Sequence, residues 1–462
     1  MLLLFIFNIY LPIDSWQNEY LDEIQVRGHY KFRFPSLRPY DFDRTAGLFN
    51  SPSEKLWLPN LSGNFRVDTV KVFRLKPLLF YDISDFTFFV EPVLKFGQDS
   101  LPPNKYFMDL VASDYERAYL KFQNKNLLIF VGRERFSIGP SPVYNILLSG
   151  YSTPMDWFNF SVEDRFLKFS FYLSRLEDQF TKPLEYIGDT ITQWINARRY
   201  LSIRRLDFSP NEWLNMSFSE AVIFGGEKFS LNIYHFNPII LLHAYQHNWN
   251  QDANLFFHLD TRLFLHNFSI YGALLVDDYQ LEEDPNSEPN HFGMKIGAEF
   301  VDPLRLKRSF LIFEYTAITR YTYCHFVPYQ RYEFRHTPIG AIYGNDYDNL
   351  FMKLIRHQTP QFDWYSIISY LRKGESKITT IWPIPEQPRV PGTEFPTNNF
   401  LSGYVQHSYT IGGGVRFFLK HWAFGEFYLR YLYIKNFEHK KGNTKSSISF
   451  KLQFDILNIS GM

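Results

Sequence analysis

Charged residues that directly follow apolar runs are the feature of this sequence that most invites a chemical explanation. In residues 132–150, GRERFSIGPSPVYNILLSG, Arg133, Glu134 and Arg135 stand between the apolar run LLIFV and a Gly/Pro-rich turn. Prolines remove the backbone N–H donors that a phosphate-binding loop needs, so GPSP does not predict such a loop. The stretch is either a ligand-binding loop or a place where charge lies in a polar protein interior. We predict that Arg133 and Arg135 face a lumen and pair with acids on neighbouring strands.

Two glutamates interrupt apolar patterns in a similar way. Glu220 continues the alternating apolar series that ends at Phe218, and Glu314 continues the one that ends at Ile312. An unpaired carboxylate in a hydrocarbon layer costs several kcal/mol, so neither side chain is expected to face lipid at mid-membrane. We expect these carboxylates to pair with arginines of neighbouring strands inside a lumen. The functional alternative is that the polar lumen or its rim contacts a solute.

Two residue pairs have spacings that suggest metal binding or acid–base catalysis. His243 and His247 in HAYQH would share a helical face, but the surrounding pattern is extended, where four residues span about 13 Å. Asp277 and Asp278 are adjacent and point to opposite faces of a strand, so they predict no acid–base pair. They mark a strand end that enters an acidic loop, with a divalent-cation site in that loop as the alternative.

The chemical motifs of common enzymes are missing from the sequence. It contains no G-x-S-x-G, no H-E-x-x-H and no G-K-[ST] after a glycine turn. We therefore predict no catalytic residue, no metal ligand and no cofactor, and we expect the protein not to be an enzyme.

The secondary structure that positions these residues is predicted by a hydrophobic pattern that repeats every two residues, as in β-strands. In residues 447–456, SISFKLQFDI, apolar and polar residues alternate, and residues 166–175 and 254–265 repeat the pattern. Strands of soluble sandwiches average about five or six residues, whereas tilted strands that cross a bilayer need about ten. Repeated runs of this length predict a large antiparallel transmembrane β-barrel of the outer-membrane type, with roughly 16–20 strands and a polar lumen.

The composition agrees with a barrel and excludes other classes. Phe, Tyr and Trp make up 19% of the 462 residues, as the lipid face and the aromatic girdles of a barrel require. The formal net charge is zero, so no nucleic-acid partner is expected. Cys324 is the single cysteine, which excludes an internal disulfide and suggests a packed small hydrophobe.

The chain divides into three parts by pattern. Residues 1–15 form an apolar, signal-like segment, with a buried first strand as the alternative. Residues 16–60 carry helix signals, with Trp16, Tyr20, Leu21 and Ile24 on one helical face and Gly28 as a helix terminator, and predict a short helical segment. Residues 65–462 are assigned to the barrel, interrupted by a proline-rich loop at 382–396.

Five stretches, taken in order, resemble the Wzi-type capsule assembly proteins, outer-membrane barrels of Gram-negative bacteria. They are EYLDEIQVRG with LRPYDFDRTAGLF, the stretch from ERAYLKF to NILLSG, the stretch from RYLSIRRLDF to EAVIFGG, the stretch from FNPIILLHAYQH to ALLVDDY, and FLIFEYTAITRYTY. The similarity covers residues 18–430. The chain departs from the family where Ile138-Gly139-Pro140-Ser141 stands in place of the more usual W-G-P-G.

The resemblance implies a monomeric barrel of about eighteen strands with helices at its periplasmic end. It also implies a non-enzymatic role, in which extracellular loops hold exported capsular polysaccharide at the cell surface. The residues that match the family's motifs are Arg133, Arg135, Gly139, Pro140, Ser149, Arg205, Ser219, Glu220, Asp277, Asp278, Glu314 and Tyr315. Most of them are expected to mark the barrel scaffold.

Two functions remain open at this stage. The first is binding or anchoring of capsular or extracellular polysaccharide in the outer membrane, with Trp249, Trp364 and Trp382 as candidates for stacking on sugars or, alternatively, for girdle and loop packing. The second is a porin-like channel for small solutes or saccharides. A helical segment that plugs the barrel would favour the first. The expected partners are outer-membrane lipid and polysaccharide, with the capsule or exopolysaccharide export machinery as a further candidate.

Overall fold

The structure is a computed structural model of the chain, and every structural statement below concerns the part of the chain that it describes. The described residues are 16–29, 32–40, 60–67, 71–83, 85–96, 106–107, 111–181, 194–243, 253–278, 290–325, 327–380, 400–419 and 423–456. The signal-like segment 1–15, His247, Trp249 and Trp382 lie outside these residues.

One α-helix and twenty-four strands make up the regular structure of the described residues. Helix α1 covers Trp16–Val26. The first twelve strands are β1 Leu37–Arg38, β2 Asn60–Val67, β3 Lys71–Ile83, β4 Phe86–Phe96, β5 Tyr106–Phe107, β6 Val111–Gln123, β7 Leu127–Glu134, β8 Ser137–Ile138, β9 Met155–Glu163, β10 Leu167–Arg175, β11 Gln179–Thr181 and β12 Ile195–Asn211. The second twelve are β13 Leu214–Gly226, β14 Ala253–Leu265, β15 Phe268–Asp278, β16 His291–Val301, β17 Ser309–Ile318, β18 Glu333–Phe334, β19 Thr337–Pro338, β20 Tyr347–Thr359, β21 Phe362–Lys373, β22 Gln406–Leu419, β23 Ala423–Lys435 and β24 Thr444–Ile456. Four short 3₁₀ turns cover Ile233–Phe236, Pro303–Arg305, Pro328–Gln330 and Phe437–His439.

The long strands pair antiparallel with their neighbours and form a barrel. Its ring contains twenty of the described strands, of which β5 and β11 are only two and three residues long. The first barrel strand, β2, pairs with β3 and also with the last strand, β24, where Leu61 lies opposite Ile456. The predicted large antiparallel barrel is confirmed. Its first strand begins at Asn60, five residues earlier than the sequence pattern indicated.

Alternation along the strands separates an apolar outer face from a polar inner face. In β14, Asn254, His258 and Arg262 are at most 4% exposed and face inward, whereas Leu259 is 54% exposed and faces outward. Ile296 on β16 and Ile411 on β22 belong to the same outer surface. Such a belt is the surface that a bilayer covers. In the described part of the chain, no helix has the length and apolar character that a membrane crossing requires.

The two ends of the barrel differ in the length of their connections. At the short-turn end, β14 and β15 are joined by His266–Asn267, and β20 and β21 by Pro360–Gln361. At the long-loop end, residues 319–346 join β17 to β20, and residues 374–405 join β21 to β22. All the long strands therefore run between one end of tight turns and one end of extended connections.

Four segments fold into the barrel interior, and together we call them the plug. They are helix α1, residues 32–40, residues 135–154 and residues 319–346. β1 and β8, which belong to the second and third segments, pair with each other inside the barrel, where Leu37 lies opposite Ile138. Apolar plug side chains, including Ile146 and Tyr323, pack against inward-facing strand residues such as Phe256. Cys324 is fully buried in the plug, as the sequence suggested.

Candidate functional site in the barrel interior

Helix α1 ends where the sequence predicted it. The amide of Arg27 donates to the carbonyl of Glu23, and that of His29 donates to the carbonyl of Ile24. Gly28 closes the helix with φ of 75°, a left-handed conformation that glycine adopts without strain. The helix buries a mostly polar face, because the inner wall that it meets is itself polar, whereas Tyr20 from the predicted apolar face is 40% exposed.

Glu19 joins α1 to the barrel wall near the short-turn end. Its carboxylate pairs with Lys353 on β20, and Arg416 on β22 donates from Nη1 to its Oε2 at 2.8 Å. Burial raises the pKa of Glu19, but the charges of Arg416 and Lys353 outweigh this and hold it at about 2, against an ordinary 4.5. The carboxylate is thus charged at neutral pH and attached to two different strands.

Two further ion pairs fasten the same helix. Glu23 Oε2 lies 2.6 Å from Nε2 of His357, which also contacts Asp363 through Nδ1 at 2.8 Å. Arg27 makes a bidentate contact with Asp302, with 3.0 Å between Nη1 and Oδ2. The ion pairs of Glu19, Glu23 and Arg27 thus attach the helix and its C-terminal turn to the inner side of the barrel wall.

A second cluster joins α1 to the segment 32–40 and to the wall. Asp22 accepts hydrogen bonds from Arg38 and from the Tyr40 hydroxyl, both at 2.8 Å. Arg262 on β14 lies 3.7 Å from Asp22 and pairs closely with Glu299 on β16. Burial lowers the pKa of Arg38, but Asp22, Tyr40 and Glu299 together outweigh burial and raise it above its ordinary value.

The Gly/Pro turn of residues 132–150 lies inside the barrel, against Glu314. The Glu314 carboxylate accepts from the Ser141 hydroxyl, from the Tyr271 hydroxyl at 2.7 Å and from Lys295 Nζ at 2.8 Å. Arg262 donates to the carbonyl of Pro140 at 3.3 Å. Glu314 therefore faces the interior and holds the turn through Ser141, while its ion pair is with Lys295 of the neighbouring strand β16, where the sequence led us to expect an arginine.

The next residues of the same segment are held by the 319–346 segment from the long-loop end. The hydroxyl of Tyr323 donates to the carbonyl of Ile146, and that of Tyr332 donates to the carbonyl of Leu147 at 2.9 Å. Asp277, at the end of β15, accepts from the backbone amide of Tyr323 at 2.6 Å. Asp277 thus anchors a plug segment. Asp278 lies one position further along β15, opposite His291 in the pairing with β16.

Arg205 lies in the wall of β12 between two acids. Its guanidinium contacts Asp207 Oδ1 at 2.8 Å and Asp260 Oδ2 at 2.6 Å, and all three side chains are fully buried. It also donates to the Ser219 hydroxyl at 3.1 Å. The sequence resemblance singled out Arg205 and Ser219, but Asp207 and Asp260 were not identified as partners.

Glu220 pairs with backbone donors more closely than with an arginine. Its two carboxylate oxygens accept from the amides of Leu242 and His243, each at 2.9 Å, whereas Arg204 lies 3.9 Å away. Glu220 therefore holds the loop that follows β13. Residues 242–243 begin a helical turn, so the extended backbone that the sequence predicted around His243 is wrong.

The orientation of Arg133 differs from the expectation. The prediction that both arginines of GRER face the lumen is wrong for Arg133, which shares the outward face with Val131, 53% exposed, whereas Glu134 is 2% exposed and faces inward. Arg133 does pair with acids of neighbouring strands, at 2.8 Å from Asp114 and 2.9 Å from Asp156. The run LLIFV is apolar on both faces, so alternation could not tell the inner face from the outer.

Arg135 follows the end of β7 and pairs with Glu116 of β6 at 2.8 Å. Trp364, proposed as a sugar-stacking residue, lies within β21 and not in a loop. It alternates with Asp363 and Tyr365, which are 6% exposed and face inward, so its indole lies on the outer, membrane-facing side. This position fits the girdle alternative for Trp364.

Three tyrosines of the plug are exposed in the barrel interior, and we call them the tyrosine cluster. Tyr144, Tyr151 and Tyr343 are 38%, 50% and 39% exposed. The rings of Tyr144 and Tyr151 contact edge to face, with 5.9 Å between centroids. Burial and the neighbouring Tyr151 raise the pKa of Tyr343, and Arg430 on the inner side of β23 opposes this shift.

Opposite the tyrosine cluster, the inner wall carries polar groups. Arg430 donates to the Ser449 hydroxyl of β24 at 3.1 Å, and Lys451 of the same strand is 42% exposed in its side chain. Aromatic rings next to hydroxyl and guanidinium groups are the mixture that sugar rings and their hydroxyls can contact. No sequence pattern indicated this cluster, because Tyr343 comes from a connection about 190 residues away from the one that carries Tyr144 and Tyr151.

Comparison with known proteins gives the family. The model of the Wzi capsule assembly proteins matches residues 77–454, which is most of the chain. The chain belongs to the Wzi capsule assembly family. The fold and its apolar outer belt place this family member in the outer membrane, as the sequence predicted. Curated protein sequences contain no match.

A solved structure shows the same fold. The Escherichia coli protein Wzi, described as a carbohydrate-binding β-barrel of the outer membrane involved in group 1 capsule assembly, has a TM-score of 0.68 and 14% identity. The match covers 97% of this chain and all of that one. OprD from Pseudomonas aeruginosa has a TM-score of 0.46 and 9% identity, over 87% of this chain and 95% of its own.

Proposed function

We propose that this Wzi family member binds exported polysaccharide at the cell surface and anchors it there without catalysis. The tyrosine cluster is the observation that carries the proposal, since it places exposed rings close to an arginine of the polar inner wall. Outer-membrane barrels have short periplasmic turns and longer extracellular loops, so the long-loop end faces outward and the helical segment lies on the periplasmic side. The description of E. coli Wzi as a carbohydrate-binding β-barrel supports the same assignment.

The polysaccharide partner is expected to be the capsular or extracellular polymer of the cell that makes the protein, with the capsule export machinery as a candidate source. The barrel acts as a monomer in this proposal, because the plug and the ring are supplied by one chain. Surrounding lipid covers the outer belt.

Retention on immobilised polysaccharide tests the proposal. Replacing both Tyr144 and Tyr151 by alanine removes two exposed rings, and aromatic contacts contribute about 0.5–1.5 kcal/mol each, so we expect affinity to fall about tenfold. The matched control is Tyr431→Ala, which removes a ring of similar exposure, 45%, from the outer face of β23. Equal loss in both variants, or no loss in the double variant, would contradict the proposed site.

The porin-like alternative is tested by planar-bilayer conductance. The plug segments pack against the inner wall and meet one another inside the ring, which is unfavourable for free diffusion. We expect the purified protein to show no large, steady ohmic conductance at neutral pH. A conductance of that kind would show that solute passage is the main activity.

A further inference from the structure

An outward-facing cavity at the long-loop end is separate from the polysaccharide site. It has a volume of about 360 Å³ and lies where β16 and β17 end. Its lining includes Phe292 and Met294 of β16, Tyr315 and Ala317 of β17, and Phe400 of the connection before β22. This volume is within the range of small-molecule sites, about 300–1,000 Å³.

Alternation shows that the cavity opens on the membrane side of the wall. On β16, Phe292 and Ile296 are 40% and 58% exposed, whereas His291 and Lys295, which directly precede them, are at most 5% exposed and face inward. Phe400, 39% exposed, lines the cavity from the loop side. The apolar floor is therefore continuous with the belt that the hydrocarbon layer covers.

A cation lies at the upper edge of this apolar floor. Arg320 lines the cavity, and its backbone carbonyl is held by Asn345 Nδ2 and by the Ser376 hydroxyl at 3.1 Å. Its guanidinium lies over the ring of Tyr321, 5.0 Å from the centroid, and its buried Nε has no hydrogen-bond partner. Among the described residues, no carboxylate forms an ion pair with Arg320.

One acid beside the cavity wall, Asp348, is already neutralised. Asp348 accepts from the Tyr315 hydroxyl at 3.0 Å and forms a bidentate pair with Arg372, whose Nε lies 2.9 Å from Asp348 Oδ1. Arg320 thus contributes a positive charge that this acid does not compensate, directly above an apolar surface. Charge and shape together fit a ligand with an anionic head and an apolar tail.

We propose that this cavity binds a phosphorylated lipid of the surrounding membrane leaflet. The guanidinium of Arg320 takes a phosphate oxygen in a charge-assisted hydrogen bond, and the first acyl chain lies between Phe400 and the floor at Phe292 and Met294. A chain buried there gains about 0.8 kcal/mol per methylene relative to water. A hydrated polysaccharide does not match this floor, because it is apolar and opens toward lipid.

Native mass spectrometry of the detergent-purified full chain tests the site. Two probes with identical acyl chains are used, a phosphorylated lipid A and its dephosphorylated form. For the wild type we expect retention of the phosphorylated probe, and for Arg320→Gln a loss of about tenfold or more in its affinity. The matched control is Arg356→Gln, since Arg356 lies on the outer face of β20 near the short-turn end and should leave retention unchanged.

A second variant tests the acyl contact. Phe400→Ala should weaken both probes, because it removes a ring that contacts the tail and not the head. Unchanged retention by both variants, or equal retention of the two probes by the wild type, would overturn the proposal. The shift in gel mobility on heating shows that each variant is folded, and unchanged polysaccharide retention separates this site from the proposed function.

Discussion

Neutralising Glu19 should release helix α1 from the barrel wall. Glu19→Gln keeps the size of the side chain but removes the charge that pairs with Lys353 and Arg416. A pKa held at about 2 instead of 4.5 corresponds to roughly 3 kcal/mol of interaction with the charged form. Loss of this interaction raises the ratio of undocked to docked helix roughly 150-fold.

Hydrogen exchange measures the release directly. Protection factors of the amides in Trp16–Val26 should fall in Glu19→Gln, and bilayer recordings should show transient openings that the wild type lacks. The control is Glu438→Gln, because Glu438 and its partner Lys440 are 58% and 70% exposed and such pairs contribute little. Amide protection in Glu19→Gln equal to that of the wild type would show that the ion pairs of Glu19 do not hold helix α1 against the wall.

The ion pairs of Glu19 also make the docking of helix α1 depend on pH. The folded-state pKa of Glu19 is lowered, so its contribution is fully present above the ordinary value of 4.5 and is lost as the pH falls toward about 2. Protection of α1 in the wild type should therefore decrease within that window. The Glu19→Gln variant should lack this component of the decrease. An identical pH profile in the two proteins would assign the loss to other groups.

Two further changes test the interior contacts. Arg205→Met leaves the buried acids Asp207 and Asp260 without their cation and should destabilise the barrel by about 3–5 kcal/mol. The barrel should then unfold at a lower temperature in a heat-induced gel shift, whereas Arg175→Met, at an exposed ion pair, should have little effect. Equal shifts in the two variants would contradict the role of burial. Glu220→Gln weakens the acceptor of two backbone amides and should increase protease cleavage within residues 227–243, and an unchanged cleavage pattern would show that the loop is held by other contacts.

Much of the barrel was predictable because its pattern is local. Strand residues alternate between two faces whatever the rest of the chain does, so residues 254–265 and 447–456 indicated strands that the structure confirms as parts of β14 and β24. The helix at Trp16–Val26 and its termination before Gly28 are equally local. Membership of the Wzi family followed from ordered motifs along the chain.

Which face points inward was less predictable. Where apolar residues occupy both faces of a strand, as Phe130 and Val131 do, the pattern does not show which face points inward. For this reason Arg133 was assigned to the wrong face. The register with β6 and β9 decides its orientation, and register depends on hydrogen bonds to other strands.

The sequence by itself determined the strands, the apolar belt, the helix and the family, because each depends on residues that are near neighbours in the chain. Only the tertiary structure decided that residues 135–150, which follow β7, enter the lumen and which groups hold them there. Ser141 and Glu314 are separated by 173 positions, and Glu19 and Arg416 by 397. Partners at such distances are chosen when the ring of strands brings opposite walls together, and no local pattern records that closure.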